Sequence, residues 1–165
     1  MSVSDIRSSN ISAIVPTIGR PDSLRRLLES LCAQTCKVDE VIVADGSSDD
    51  ETGLIIENPQ WHASGLVVRR VAVDPPNAVR QRMSAIHVSR GEFLLLLDDD
   101  VVLEPGCVKQ MVALLQANSQ VVAVTADFNN QAWSQPTRFW RVYLRYVLRL
   151  PVGAWQGRVV GPLLR

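Results

Sequence analysis

Apolar and polar positions alternate along this chain in blocks whose period switches repeatedly between that of a strand and that of a helix. Ser12 to Pro16 is a short apolar run ending in Pro16-Thr17-Ile18-Gly19-Arg20-Pro21, which predicts a buried strand and then a loop. Asp22 and Ser23 can cap the next element, in which Leu24, Leu27, Leu28 and Leu31 repeat at the spacing of one helix face, with Arg25, Arg26 and Glu29 on the other. Glu40 to Asp45 predicts a second strand. The turn formers Gly46 to Asp50 and a short helix through Leu54 to Glu57 come next. Leu66 to Val73 is rich in β-branched residues and predicts a third strand, broken by Asp74-Pro75-Pro76.

Asn77 opens a further helix, with Val79, Met83, Ile86 and Arg90 on one side and Gly91 as its stop. Phe93 to Leu97 is wholly apolar and ends in Asp98-Asp99-Asp100, which predicts a central strand buried on both faces with the acids at its carboxyl end. Pro105 fits the first turn of a helix carrying Val108, Met111, Val112 and Leu115, and Val121 to Thr125 reads as a fifth strand. Strands that alternate with helices and read as continuous apolar runs imply an α/β fold, a mostly parallel sheet with helices on both faces.

Composition adds an asymmetry. Residues 1 to 127 hold 11 basic and 17 acidic groups, whereas 128 to 165 hold six arginines and no acid, with three of the four Trp and both Tyr. The chain is therefore expected to divide into a polar leader (1–10), an α/β portion (11–127) and a basic aromatic tail (128–165). In the tail Arg138, Arg141, Arg145 and Arg149 recur every three or four residues beside Trp140, Tyr143, Leu144, Val147 and Leu148. A helix of that pattern suits either peripheral contact with an anionic membrane or packing on a further part of the protein. Cys32, Cys36 and Cys107 lack zinc-type spacing, so a reduced cytoplasmic chain is expected. No stretch reaches the roughly 18 uninterrupted apolar residues needed to span a bilayer, and nothing in the pattern points to a nucleic-acid partner.

In an open parallel sheet, ligands bind beyond the carboxyl ends of the strands, where Thr17, Asp45 and Asp98 to Asp100 should converge. A lone acid there reads as a cap or a solvated group. Three in succession repel one another unless a cation or hydrogen-bond donors neutralise them, and hard divalent ions prefer such oxygens. Asp45 is equally suited to accept a hydrogen bond from a base or ribose and to serve as a turn residue, and Gly46 would let the backbone approach a flat ligand. Arg80 and Arg82 could reach a diphosphate or pair with the acids. Neither the Gly-x-Gly-x-x-Gly turn of dinucleotide binders nor a phosphate loop is present.

Four segments together carry a resemblance: Ile14 to Pro21, then Ala33-Gln34-Thr35, then Asp39 to Asp49, then Arg90-Gly91-Glu92-Phe93 running into Asp98-Asp99-Asp100. In this order and spacing the chain resembles family 2 glycosyltransferases of the GT-A fold over about residues 11 to 125. The resemblance implies a Rossmann-like nucleotide-sugar-binding domain, incomplete on the acceptor side, in an inverting transferase that moves a sugar from a nucleotide-sugar donor to a carbohydrate or lipid-linked acceptor. A non-catalytic nucleotide-sugar-binding module is the alternative. By the same resemblance Pro16 and Thr17 line the nucleoside pocket, Asp45 contacts the base, and Arg82 lies on the donor side. Asp98 to Asp100 look like the family's DXD motif, with Asp99 on the ribose and Asp100 on Mn²⁺ or Mg²⁺. Ala44 and Met83 depart from the family's usual Asp and Asn. The family's catalytic carboxylate belongs to a C-terminal half expected beyond this chain, and no Asp or Glu follows Asp127.

Overall fold

The computed structural model describes residues 10–127. Its strands form where β-branched and aliphatic residues run together: β1 (Ile11–Thr17), β2 (Glu40–Asp45), β3 (Val67–Ala72) and β4 (Phe93–Leu96). Helices α1 (Pro21–Cys32), α2 (Glu51–Ile56), α3 (Pro59–Ala63), α4 (Ala78–Val88) and α5 (Cys107–Ala117) connect or follow them. All strand pairs are parallel and the sheet order is β3-β2-β1-β4, as an alternation of strand and helix requires.

The alternation along β1 and β2 divides the core. Ala13, Val15, Val41 and Val43 face Leu24, Leu27, Leu28 and Leu31 of α1, together with Trp61, Val108 and Val112. Those four leucines are fully buried, each contributing roughly 1.5–3 kcal/mol by its removal from water. On the opposite face Ile14, Ile42 and Ala44 meet Ala85 of α4. The short α3, which carries no helical pattern in the sequence, is started by Asn58, whose side chain accepts from the Gln60 amide, and is held by Trp61 donating to the Ile55 carbonyl at 2.6 Å.

Several expectations are corrected. Among the described residues β4 is the last strand of the sheet and is not buried on both faces: Phe93 and Leu95 pack on the α1 side, but Leu94 and Leu96 are 44% and 54% exposed, because α4 lies over β1 and β2. On α4 Gln81 and Ala85 are buried and Ile86, one of the residues expected on the packed side, lies against the same cluster, whereas Val79 and Met83 are 70% and 60% exposed. A small residue lets the helix approach the sheet closely, and the amide of Gln81 satisfies backbone carbonyls there. The N-cap of α1 is Arg20 and Pro21 sits in the first turn, so neither Asp22 nor Ser23 caps it. Gly91 does not end α4, which stops at Val88. Instead, a Cβ at Gly91 would meet the Ser12 hydroxyl at 2.6 Å. α5 starts two residues after Pro105.

Two compact units divide between Ala113 and Leu114. In the second, the last residues of α5 give way to a turn in which Asn118 accepts from the Gln120 and Val121 amides. Val121 to Thr125 forms no strand, since none of its backbone enters a ladder among the described residues. The tail helix expected over Arg138 to Arg149 lies outside the described residues. No helix among them is long and apolar enough to cross a membrane.

At the amino-terminal ends of the strands Glu40 is buried, 8% exposed, and accepts from the Ser12 hydroxyl at 2.6 Å, the Arg90 amide at 2.8 Å and Arg69 Nη2 at 2.5 Å. Burial pushes its carboxyl pKa up, but the Ser12 hydroxyl, the Arg90 amide and the Arg69 guanidinium outweigh that and hold it below the ordinary value.

Candidate functional site

The ladder between β1 and β4 ends at the Ile14–Leu96 pair, whereas that between β1 and β2 runs on to Thr17 and Asp45. From β1 the chain connects to β2 on one side and β4 lies on the other, so the space beyond β1 and β4 is the topological switch point where ligands of open α/β sheets bind. Pro16, which has no N–H to offer a ladder, lies past the last pair with β4. A cleft of about 250 Å³ opens there. Its walls are Pro16 to Ile18 and Arg20 after β1, Ala78, Gln81 and Arg82 on α4, and Asp98 to Asp100 after β4.

The structure thus brings together Pro16, Thr17, Arg82 and all three acids. Asp99 is buried and accepts from the Thr17 hydroxyl at 2.8 Å and from Arg20 Nη1 at 3.2 Å. Arg20 also lies 3.5 Å from Asp100, whose side chain is 61% exposed. Asp98 pairs with Arg82. The compensation that three adjacent acids demand is therefore supplied by two guanidinium groups, and among the described residues no three His, Cys, Asp or Glu gather into a metal cage. Arg80 is exposed and does not line the cleft.

Asp45 reaches the strand end but not the cleft. Its side chain is 0% exposed: Oδ1 accepts from the Ser47 amide at 2.9 Å, and Oδ2 accepts from Arg70 Nε at 2.9 Å and Nη2 at 2.8 Å. Arg70 also donates to Asp50 at 2.9 Å. That bond to Asp50, opposed by burial and reinforced by Asp45, pushes the Arg70 pKa up. The space at Gly46 is likewise taken by protein, because a Cβ there would stand 2.6 Å from Pro76 Cβ and 3.2 Å from Gln81 Nε2.

Four cleft residues escaped the sequence reading, the apolar Ile18 and Ala78 and the polar Arg20 and Gln81. Arg20 had a signal, its place in the loop that leaves a strand's carboxyl end. Gln81 had none, since a lone glutamine on a helix reads as solvent-exposed. The Ala33-Gln34-Thr35 segment acquires a physical role as well. The buried Gln34 amide donates to Glu104 O at 2.8 Å and Ser30 O at 3.1 Å and accepts from Val108 N at 3.1 Å, anchoring the chain that follows the acids to α1.

Residues 12–159 match the sequence pattern of Glycosyl transferase family 2. The chain belongs to that family. Among its relatives are an uncharacterized glycosyltransferase of Haemophilus influenzae, 30% identical over 111 residues that span 67% of this chain and 36% of that protein, and the GalNAc(5)-diNAcBac-PP-undecaprenol beta-1,3-glucosyltransferase of Campylobacter jejuni, 29% identical over 104 residues that span 62% and 33%. In structure this family 2 chain is similar to S. aureus TarS 1-349, with a TM-score of 0.56 and 28% identity over 66% of this chain and 32% of that one. The complex of TarS 1-349 with UDP-GlcNAc shares the fold at a TM-score of 0.60 and 23% identity, over 76% and 37%. The chain spans about a third of the length of each of these proteins.

Proposed function

We propose that the cleft binds the nucleoside diphosphate of a nucleotide-sugar donor, and that the protein transfers the sugar, with inversion, to an acceptor hydroxyl. The observation that carries this is the convergence of Thr17, Arg82 and Asp98 to Asp100 at the switch point of a family 2 chain. The TarS protein has been crystallised with UDP-GlcNAc and with UDP, and the C. jejuni relative is named for a lipid-linked saccharide. Those facts support a nucleotide-sugar donor here and a carbohydrate or lipid-linked acceptor.

Charge supports a divalent ion. The cleft holds three carboxylates against two guanidiniums, and a diphosphate adds further negative charge, so the loaded site needs a cation. Asp100 fits that task, with an exposed, hard oxygen donor at the cleft mouth. A single carboxylate completed by phosphate oxygens and water is the usual manner of holding Mg²⁺. Mn²⁺ or Mg²⁺ bound there would stabilise the charge of the departing nucleoside diphosphate. Thr17 and Arg20 hold Asp99 for the ribose, Pro16 lines the nucleoside side, and Arg82, with N–H groups beyond the one paired to Asp98, faces the donor phosphates. Asp45 braces the neighbouring wall through Arg70. An acid–base group, assigned to no described residue, takes the acceptor proton.

Titration calorimetry with UDP and GDP, with and without Mn²⁺, tests this reading. The unaltered protein should bind one of them more tightly with metal, and Asp100→Ala should lose the metal-dependent increment while keeping metal-free affinity. An undiminished metal effect in Asp100→Ala would remove that residue from the ion site.

A further inference from the structure

Asp99 and Asp100 share one guanidinium. Arg20 Nη1 stands 3.2 Å from Asp99 Oδ1 and 3.5 Å from Asp100 Oδ2, so a single N–H end lies between two successive carboxylates. The two contacts are unequal. Asp99 is buried, also accepts from the Thr17 hydroxyl at 2.8 Å, and takes a hydrogen bond from Arg20, whereas the Asp100 side chain is 61% exposed and meets Arg20 at ion-pair distance. Nε and Nη2 of Arg20 have no partner among the described residues.

The Arg20 backbone is fixed while its head is free. Its carbonyl accepts from the Leu24 amide at 3.1 Å, and the preceding Gly19 amide donates to Ser47 Oγ at 2.8 Å. The Arg20 side chain is 56% exposed, so its guanidinium can turn about the Asp99 contact without moving the loop. The solvated contact with Asp100 is the one that yields first, because an exposed ion pair contributes little.

This placement opposes a lone divalent ion. Arg20 neutralises Asp100 and keeps a positive charge 3.5 Å from the oxygen that an ion would use, and the acids form no cage of their own among the described residues. A diphosphate reverses both effects. Its oxygens attract the unpaired N–H groups in the fork geometry that a guanidinium matches, and they supply the ligands that a single carboxylate lacks.

We infer that Arg20 couples the two ligands of the cleft: without nucleotide its guanidinium stands in for the ion at Asp100, and on diphosphate binding it keeps Asp99, releases Asp100 and turns its unpaired N–H groups to the phosphate. This rests on the nucleotide-sugar reading given above. By linkage, the diphosphate strengthens ion binding by the same factor by which the ion strengthens diphosphate binding, and part of that factor belongs to Arg20.

Calorimetry with UDP, GDP, CDP and ADP first identifies the tightest nucleotide. Mn²⁺ binding to the full chain is then followed by the electron paramagnetic resonance of the free ion, without nucleotide and with a saturating amount, after subtraction of the ion held by nucleotide in free solution. The unaltered protein should bind Mn²⁺ about tenfold more tightly with nucleotide than without. Arg20→Met should bind Mn²⁺ alone about fivefold more tightly, bind the metal-free nucleotide more weakly, and show a smaller coupling factor. Arg20→Lys, which restores a positive charge beside Asp100, should return the metal-only affinity toward that of the unaltered protein. The sign of the first effect decides. A residue that only braced Asp99 would leave Mn²⁺ binding unchanged or weaker when removed, and that result overturns the inference. So does an unchanged coupling factor in Arg20→Met, which would assign the coupling to direct ion–phosphate contact. An unaltered protein that binds Mn²⁺ equally well with and without nucleotide overturns it too, and needs no variant to fold. Failure of the unaltered protein to bind any of the four nucleotides would remove the site reading itself, and this inference with it.

Discussion

Glu40→Ala should cost stability without touching the cleft, because Glu40 sits at the amino-terminal end of β2 and the cleft lies beyond the carboxyl ends. The truncation strips the acceptor from the Ser12 hydroxyl, the Arg90 amide and Arg69 at once. Breaking a buried ion pair typically costs about 3–5 kcal/mol, chiefly for the charge left behind. Arg69, whose side chain is 35% exposed, can turn toward water, which lowers the expected loss to about 2–3 kcal/mol. With a urea slope of about 2 kcal/mol/M, the unfolding midpoint should fall by about 1–1.5 M at unchanged slope.

The pH dependence has a definite sign. The folded pKa of Glu40 is held below its ordinary 4.5, so its stabilisation is complete above pH 4.5 and disappears as pH falls through the folded value. The stability gap between the unaltered protein and Glu40→Gln should therefore be full at pH 7 and close progressively below pH 4.5. A loss under about 0.5 kcal/mol in Glu40→Ala, the level of an ordinary surface change, would refute the reasoning. So would a gap to Glu40→Gln that does not change with pH, or a parallel loss of nucleotide affinity.

Arg70→Met should destabilise by about 3 kcal/mol, since it leaves the Asp45 carboxylate buried with only the Ser47 amide, and Arg70→Met/Asp45→Asn should recover at least about 1 kcal/mol by removing the stranded charge. Thermal denaturation of the two variants measures this, and a double variant no better than the single one would mean that the pair is not the reason. Gly46→Ala should cost about 1–3 kcal/mol through its contact with Pro76 and shift Gln81, so that lowered melting temperature and weakened nucleotide binding appear together. Stability loss with binding intact would separate Gly46 from the site.

Local chemistry determined much of this protein. The leucine spacing of α1 names its buried face because four large aliphatic groups on one stripe leave a helix no other way to exclude water. The runs in β1 and β2 mark interior strands, and the acids after Leu97 mark the carboxyl end at which α/β sheets bind ligands. Tertiary structure decided what periodicity cannot carry. The same apolar run that suggests a strand buried on both faces leaves Leu94 and Leu96 of β4 half-exposed, with no strand beyond it among the described residues, since an aliphatic side chain does not record what covers its strand. On α4 the helical pattern selected Val79 and Met83 along with Ile86, and only Ile86 packs on the core, while contact with the sheet required a small Ala85 and an amide at Gln81 that could reach two carbonyls. The partners of the acids were equally hidden. Arg20 and Arg82 lie 79 and 16 residues from the carboxylates they hold, and Arg70 lies 25 from Asp45, and only the folded sheet brings such distant charges within reach of one another.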